Sequence, residues 1–142
     1  MIKDIRHTGI VVADLEASLK FYQDILGFSI VKKMDETGDF IDNILLLENV
    51  KVTTVKMASS SGQMIELLKY QSHPADQKKH DINDVGISHI AFTVDDLDVV
   101  YKRLMDNKIQ FNSSPQISPD GYAKVVFCRA PEGTMIELVE VL

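Results

Sequence analysis

Two histidines and two glutamates recur in matched settings along this chain, and together they form the donor set of a divalent metal site. His7 opens His7-Thr8-Gly9-Ile10-Val11-Val12-Ala13-Asp14-Leu15, and His89 opens His89-Ile90-Ala91-Phe92-Thr93-Val94-Asp95-Asp96-Leu97. Glu66 sits in Gly62-Gln63-Met64-Ile65-Glu66-Leu67-Leu68, and Glu137 in Gly133-Thr134-Met135-Ile136-Glu137-Leu138-Val139. The histidines are 82 residues apart and the glutamates 71, so each copy carries its own His–Glu pair. Imidazole nitrogen with carboxylate oxygen suits Ni, Co, Zn, Mn or Fe as the divalent ion.

The elements around these residues also repeat. Short apolar, partly β-branched runs predict buried strands over 7–12 and 89–94. Each feeds a helix opened by an aspartate. Asp14 is the expected N-cap for Leu15, Leu19, Tyr22 and Leu26, whose spacing is helical, and Gly27 is the expected stop. Asp95 or Asp96 plays that part for Leu97, Tyr101 and Leu104, with Asn107 near the end. Strands then follow at 28–33, 51–58 and 63–69 in the first half, and at 109–112, 123–129 and 134–141 in the second. The order in each half is β-α-β-β-β.

The expected architecture is therefore α+β, with two βαβββ repeats forming a curved mixed sheet around a central pocket. The first module covers 1–71 and the second 86–142. They are joined by an exposed polar linker at 72–85, which includes Pro74, Lys78, Lys79, His80, Asp81 and Asp84. From histidine to glutamate the first copy spans 59 residues and the second 48. The extra residues fall in Met34–Asn49, where Phe40, Ile41, Ile44, Leu45 and Leu47 predict a short amphipathic helix or lid.

Strand alternation explains why the four donors should converge. Thr8, Ile10 and Val12 share one face, while His7, Gly9 and Val11 share the other. Ile90, Phe92 and Val94 likewise oppose His89, Ala91 and Thr93. Ile65 and Leu67 oppose Glu66, and Ile136 and Leu138 oppose Glu137. The apolar sets suit packing beneath the helices, which leaves one His or one Glu on the opposite face of each strand. A carboxylate on an apolar strand is costly without a partner. A metal shared with two histidines removes that cost for both glutamates. An ordinary hydrogen-bonded His–Glu pair would explain one copy, but the duplication favours the metal.

Composition narrows the function further. The formal charge of −6 argues against a nucleic-acid surface, which needs a concentrated Lys/Arg field. No run of ~18 apolar residues exists to span a membrane. The N-terminal residues Met1–Arg6 lack the apolar core of a secretory signal, and the one cysteine, Cys128, cannot form an internal disulfide. The expected address is the cytoplasm. Cys128 lies in an apolar strand and reads as core filler. His73 and His80 read as solvated, and Met57 and Met64 as packing residues. Tyr122, Lys124 and Arg129 read either as contacts for an anionic substrate or as edge charges.

The chain resembles the vicinal oxygen chelate superfamily, which includes glyoxalase I, methylmalonyl-CoA epimerase, extradiol dioxygenases and the fosfomycin and bleomycin resistance proteins. The resemblance rests on His7-Thr8, on Asp14-Leu15-Glu16-Ala17-Ser18-Leu19-Lys20-Phe21-Tyr22, on Leu26-Gly27-Phe28, and on Ala130-Pro131-Glu132-Gly133 leading into Ile136-Glu137-Leu138. It departs from the family at Ala130-Pro131, where Asp-Pro is usual. Carried over by position, it implies that His7, Glu66, His89 and Glu137 are the ligands of an octahedral metal, most like bacterial-type glyoxalase I. It further implies metal-stabilised enediolate or enolate chemistry, with Glu137 or Glu66 as the catalytic base. The implied substrate is a small molecule with a carbonyl or thioester, and the implied assembly is a homodimer. An extradiol-type dioxygenase using Fe(II) on His7, His89 and Glu137 is the alternative enzyme, although Glu66 fills a position that its substrates need. A non-catalytic binding or resistance protein is the alternative of another class.

Overall fold

The computed structural model describes all 142 residues. The first half contains β1 (Thr8–Val11), α1 (Leu15–Leu19) running into a π-helical segment (Lys20–Ile25), β2 (Ser29–Glu36), α2 (Asp39–Leu45), β3 (Val52–Ala58) and β4 (Met64–Tyr70). The second contains β5 (Ile90–Thr93), α3 (Leu97–Asp106), β6 (Gln116–Ile117), β7 (Ala123–Arg129) and β8 (Met135–Val141). The chain divides into two compact units, Met1–Gln77 and Lys78–Leu142.

Each unit builds its own four-stranded mixed sheet, in the order β1-β4-β3-β2 and β5-β8-β7-β6. In both, the first strand runs parallel to the last, and the other pairings are antiparallel. The crossover helix of each unit starts on the expected cap. Asp14 accepts a hydrogen bond from the Ala17 amide at 3.0 Å, and Asp96, rather than Asp95, accepts from Val99 at 3.0 Å. Gly27 ends the first helical segment at φ +85°, a conformation in which a Cβ would be strained.

The first helix departs from the predicted face. Leu15, Leu19 and Leu26 are only half-buried, while Ser18, Phe21, Tyr22 and Ile25 are buried. The cause is the π-helical turn. A bond from the Leu26 amide to the Phe21 carbonyl at 3.0 Å spans five residues instead of four. This widens the turn and swings two adjacent aromatics inward together. Phe21 and Tyr22 then meet edge to face at 4.9 Å, and both are buried, as are Val55, Met57, Ile65 and Leu67 of the sheet. The second helix keeps its predicted face, with Leu97 and Leu104 fully buried.

The predicted strand at 109–112 does not form. It is reduced to an isolated bridge between Phe111 and Cys128, and pairing resumes only at β6. Ser113-Ser114-Pro115 intervenes, and proline has no amide to give the ladder. The strand expected at 28–33 instead runs to Glu36 and takes the start of the insertion with it.

The rest of the insertion is the predicted short helix, α2. Ile41, Val50 and Val52 form its buried cluster, with Leu45, Leu47, Leu68 and Tyr70 packed against it. Asp42 closes the returning loop by accepting from the Asn49 and Val50 amides at 2.9 and 2.8 Å. Leu68 and Tyr70 alternate with Leu67 on β4, so the insertion covers the end of the sheet face that also carries Glu66.

Candidate metal centre

Register places the two His–Glu pairs identically. In β1 and β4, Gly9 is level with Glu66, and in β5 and β8, Ala91 is level with Glu137. Each histidine lies two residues before that position, on the same face. The residue beside each glutamate is therefore glycine or alanine. With little or no side chain alongside, the carboxylate is free to lean along the neighbouring strand toward the imidazole. A Cβ added at Gly9 would already touch Leu68 Cδ1 at 3.4 Å.

The pairs close accordingly. His7 Nε2 lies 2.8 Å from Glu66 Oε2, and His89 Nε2 lies 3.1 Å from Glu137 Oε2. The glutamate side chains are 13% and 22% exposed, and the histidines 28% and 35%, so each pair is sheltered yet reachable. These separations fit two uses. They are hydrogen-bond distances, and they also match the edge of an octahedron, roughly 3.0 Å for donors about 2.1 Å from a metal in adjacent positions. Within each unit the structure brings together two of the four predicted donors, both through Nε2 and a carboxylate oxygen.

The two histidines differ in how the other ring nitrogen is held. His89 Nδ1 is 2.7 Å from Ser88 Oγ, and the ring meets Phe127 edge-on at 5.2 Å. Ligation through Nε2 requires the hydrogen on Nδ1, where Ser88 is placed to accept it. His7 Nδ1 is buried without a hydrogen-bond partner. Register sets Phe127 opposite Glu137 and Lys56 opposite Glu66, so the halves are alike in donors and unlike in their surroundings.

Sequence reasoning missed Ser88, Phe127 and Lys56. Ser88 is signalled only by its position before the histidine, and the other two by strand alternation once the register is known. Lys124 and Arg129 are engaged structurally. Lys124 Nζ pairs with Asp98 at 2.8 Å and Glu140 at 3.5 Å, and Arg129 donates to the Gly133 carbonyl at 2.9 Å. Tyr122 is exposed and Met57 is buried in the core, whereas Met64 shares the Glu66 face. His73 Nδ1 lies 2.7 Å from Ser72 Oγ, and His80 is exposed, 3.7 Å from Asp84. Cys128 is fully buried, and burial pushes its thiol up to about 12.

Known proteins place the chain in a family. The chain is 30% identical over 135 residues to a probable lactoylglutathione lyase of Synechocystis, covering 94% of this chain and 92% of that protein. A glyoxalase family protein from Bacillus cereus superposes with a TM-score of 0.91 at 23% identity, covering 100% of this chain and 96% of that one. The trypanothione-dependent glyoxalase I of Leishmania major gives a TM-score of 0.71 at 25% identity, covering 98% and 87%. The pattern of the Glyoxalase/Bleomycin resistance protein/Dioxygenase superfamily matches residues 4–138, and the chain belongs to that superfamily.

Proposed function

We propose that this protein is a metal-dependent lyase or isomerase of the glyoxalase I or methylmalonyl-CoA epimerase type, which moves a proton next to a carbonyl. His7, Glu66, His89 and Glu137 would hold one divalent ion (Ni, Co, Zn, Mn or Fe). The observation that carries the reading is the duplicated His–Glu pair in one register, with N–O separations of 2.8 and 3.1 Å. The lactoylglutathione lyase name of the Synechocystis relative supports the same class.

Bound there, the ion supplies Lewis acidity that makes the hydrogen beside a substrate carbonyl removable. The protein's own residues do the rest. His7 and His89 orient the site through Nε2, and Ser88 fixes the ring of His89. Glu137 or Glu66 takes the proton and returns it, to the neighbouring carbon in a glyoxalase-type reaction or to the same carbon in an epimerisation. Gly9 and Ala91 leave room for that carboxylate to swing. The substrate is a small carbonyl or thioester compound, and the working assembly is a homodimer.

The test combines metal analysis with proton exchange. Reconstituted protein should hold about one divalent ion per four-donor site and exchange solvent deuterium into a trial hemithioacetal or 2-methyl-acyl thioester. Failure to retain metal sinks the reading. Retained metal without exchange on any such substrate points to a binding protein, and oxygen consumption with catechols points to a dioxygenase.

A further inference from the structure

The Glu66 face of the first sheet carries a feature that proton transfer alone does not need. Lys56 on β3 is directly opposite Glu66, and Lys32 on β2 is directly opposite Lys56. Directly opposed residues point to the same side of a sheet, with strands about 4.8 Å apart. A row of Lys32, Lys56 and Glu66 therefore crosses three strands, ending beside His7. Lys56 is half-buried between the fully buried Val55 and Met57, which face the other way.

Like charges directly opposite one another destabilise a sheet. The chain has 21 acidic residues against 15 basic ones, yet neither lysine takes part in any of its ion pairs. A local irregularity of the backbone creates the pair. The β2–β3 register shifts between Ile30 and Lys32, with Val31 left over as a bulge. Ile30 is level with Met57, so unbroken pairing would set Val31 opposite Lys56 and turn Lys32 to the opposite face. The bulge re-aims Lys32 onto the Glu66 face, a use to which bulges near active sites are put. Two cations gathered by a bulge, neither within ion-pair distance of a carboxylate, are an arrangement for an anion.

We propose that Lys56 and Lys32 form an oxyanion subsite, which takes a carboxylate or phosphate carried by the substrate. They lie roughly 5 and 10 Å across the sheet from Glu66, one and two strand spacings. Under the proposed function, the substrate is thus a carbonyl or thioester compound with an anionic group a few bonds from the reacting carbon. Polar Thr54 and apolar Met34 continue the face beyond the lysines, toward the cluster beneath α2.

Titration of the full-length protein with inorganic phosphate and with malonate, followed by backbone amide NMR, tests the subsite. Dialysed metal-free protein is used alongside metal-reconstituted protein, so the outcome does not depend on metal retention or turnover. Amide shifts should concentrate at Lys32, Met34, Thr54 and Lys56, and the tighter anion identifies the group. Lys56→Gln and Lys32→Gln should each weaken binding roughly 10-fold, the worth of one charge-assisted hydrogen bond. Lys33→Gln removes the same charge from the opposite face of the same strand and should change affinity less than about 2-fold, as expected for a screened surface charge. Shifts elsewhere, no binding of either anion, or equal weakening by Lys33→Gln would overturn the subsite.

Discussion

Ser88 Oγ sits 2.7 Å from His89 Nδ1, and this contact gives one of the two histidines a partner on Nδ1 that the other lacks. Partners of this kind raise a ligand's basicity and hold its tautomer. Ser88→Ala should therefore weaken metal binding about 10–100-fold, read by competition with a chelating dye. The stability of the metal-free protein should stay within ~0.5 kcal/mol, since a partly exposed hydroxyl is lost. Unchanged affinity would show that the serine plays no part in holding the ring.

Ligand and base separate at the glutamates. Glu137→Gln keeps an amide oxygen for the metal but cannot accept a proton, so deuterium exchange should fall ~10²–10⁴-fold at matched metal occupancy. His7→Ala removes a donor outright and should lose metal and exchange together. Equal exchange in wild type and Glu137→Gln would move the base role to Glu66.

Glu140 ties the start of α3 to β8 and β7, the inner strands of the second sheet. Its carboxylate accepts from the Leu97 amide at 2.8 Å and pairs with Lys124. Asp98 pairs with the same lysine but is largely exposed. Glu140→Ala should cost about 1 kcal/mol, as for a lost helix cap, and Asp98→Ala clearly less. Urea denaturation of both variants checks the order, and a larger loss for Asp98→Ala would contradict it.

Lys124 also gives the stability a basic limit. The hydrogen bond it donates to the Asp98 carboxylate raises its ammonium above the ordinary lysine value. A raised cation stabilises the fold fully below the unfolded-chain value, about 10.4, and this contribution disappears as the pH rises through the folded value. Wild type should unfold at a higher temperature than Lys124→Met at pH 7, and the gap should close in strongly alkaline buffer. A gap that persists there would assign the effect to packing of the lysine stem.

The thiol of Cys128 should be inert in the native state. Burial pushes it up to about 12, which leaves ~10⁻⁴ of it as thiolate at pH 8. Reaction with a disulfide reagent should be ~10³-fold slower than in the denatured chain. Comparable rates in the two states would show that β7 opens readily.

The repeat itself was legible in the residues. Asp14 and Asp96, Gly27, and the alternation around His7, Glu66, His89 and Glu137 each follow from local rules of capping, turn conformation and strand period. Those rules were enough for the βαβββ order and the insertion before β3, and the family followed from the resemblance of its motifs. What failed depended on hydrogen bonds that composition does not encode. The π-helical turn brought Phe21 into the core beside the expected Tyr22 because Leu26 bonds one residue further back than in an α-helix. Pro115 and its neighbouring serines broke the strand expected at 109–112. Cross-strand register is the clearest case. A one-residue bulge at Val31 decides whether Lys32 shares the face of Glu66, and a shift of one residue exchanges the two faces of a strand. The types and spacing of the donors could be read along the chain. Which cations stand beside them was decided only when the strands paired.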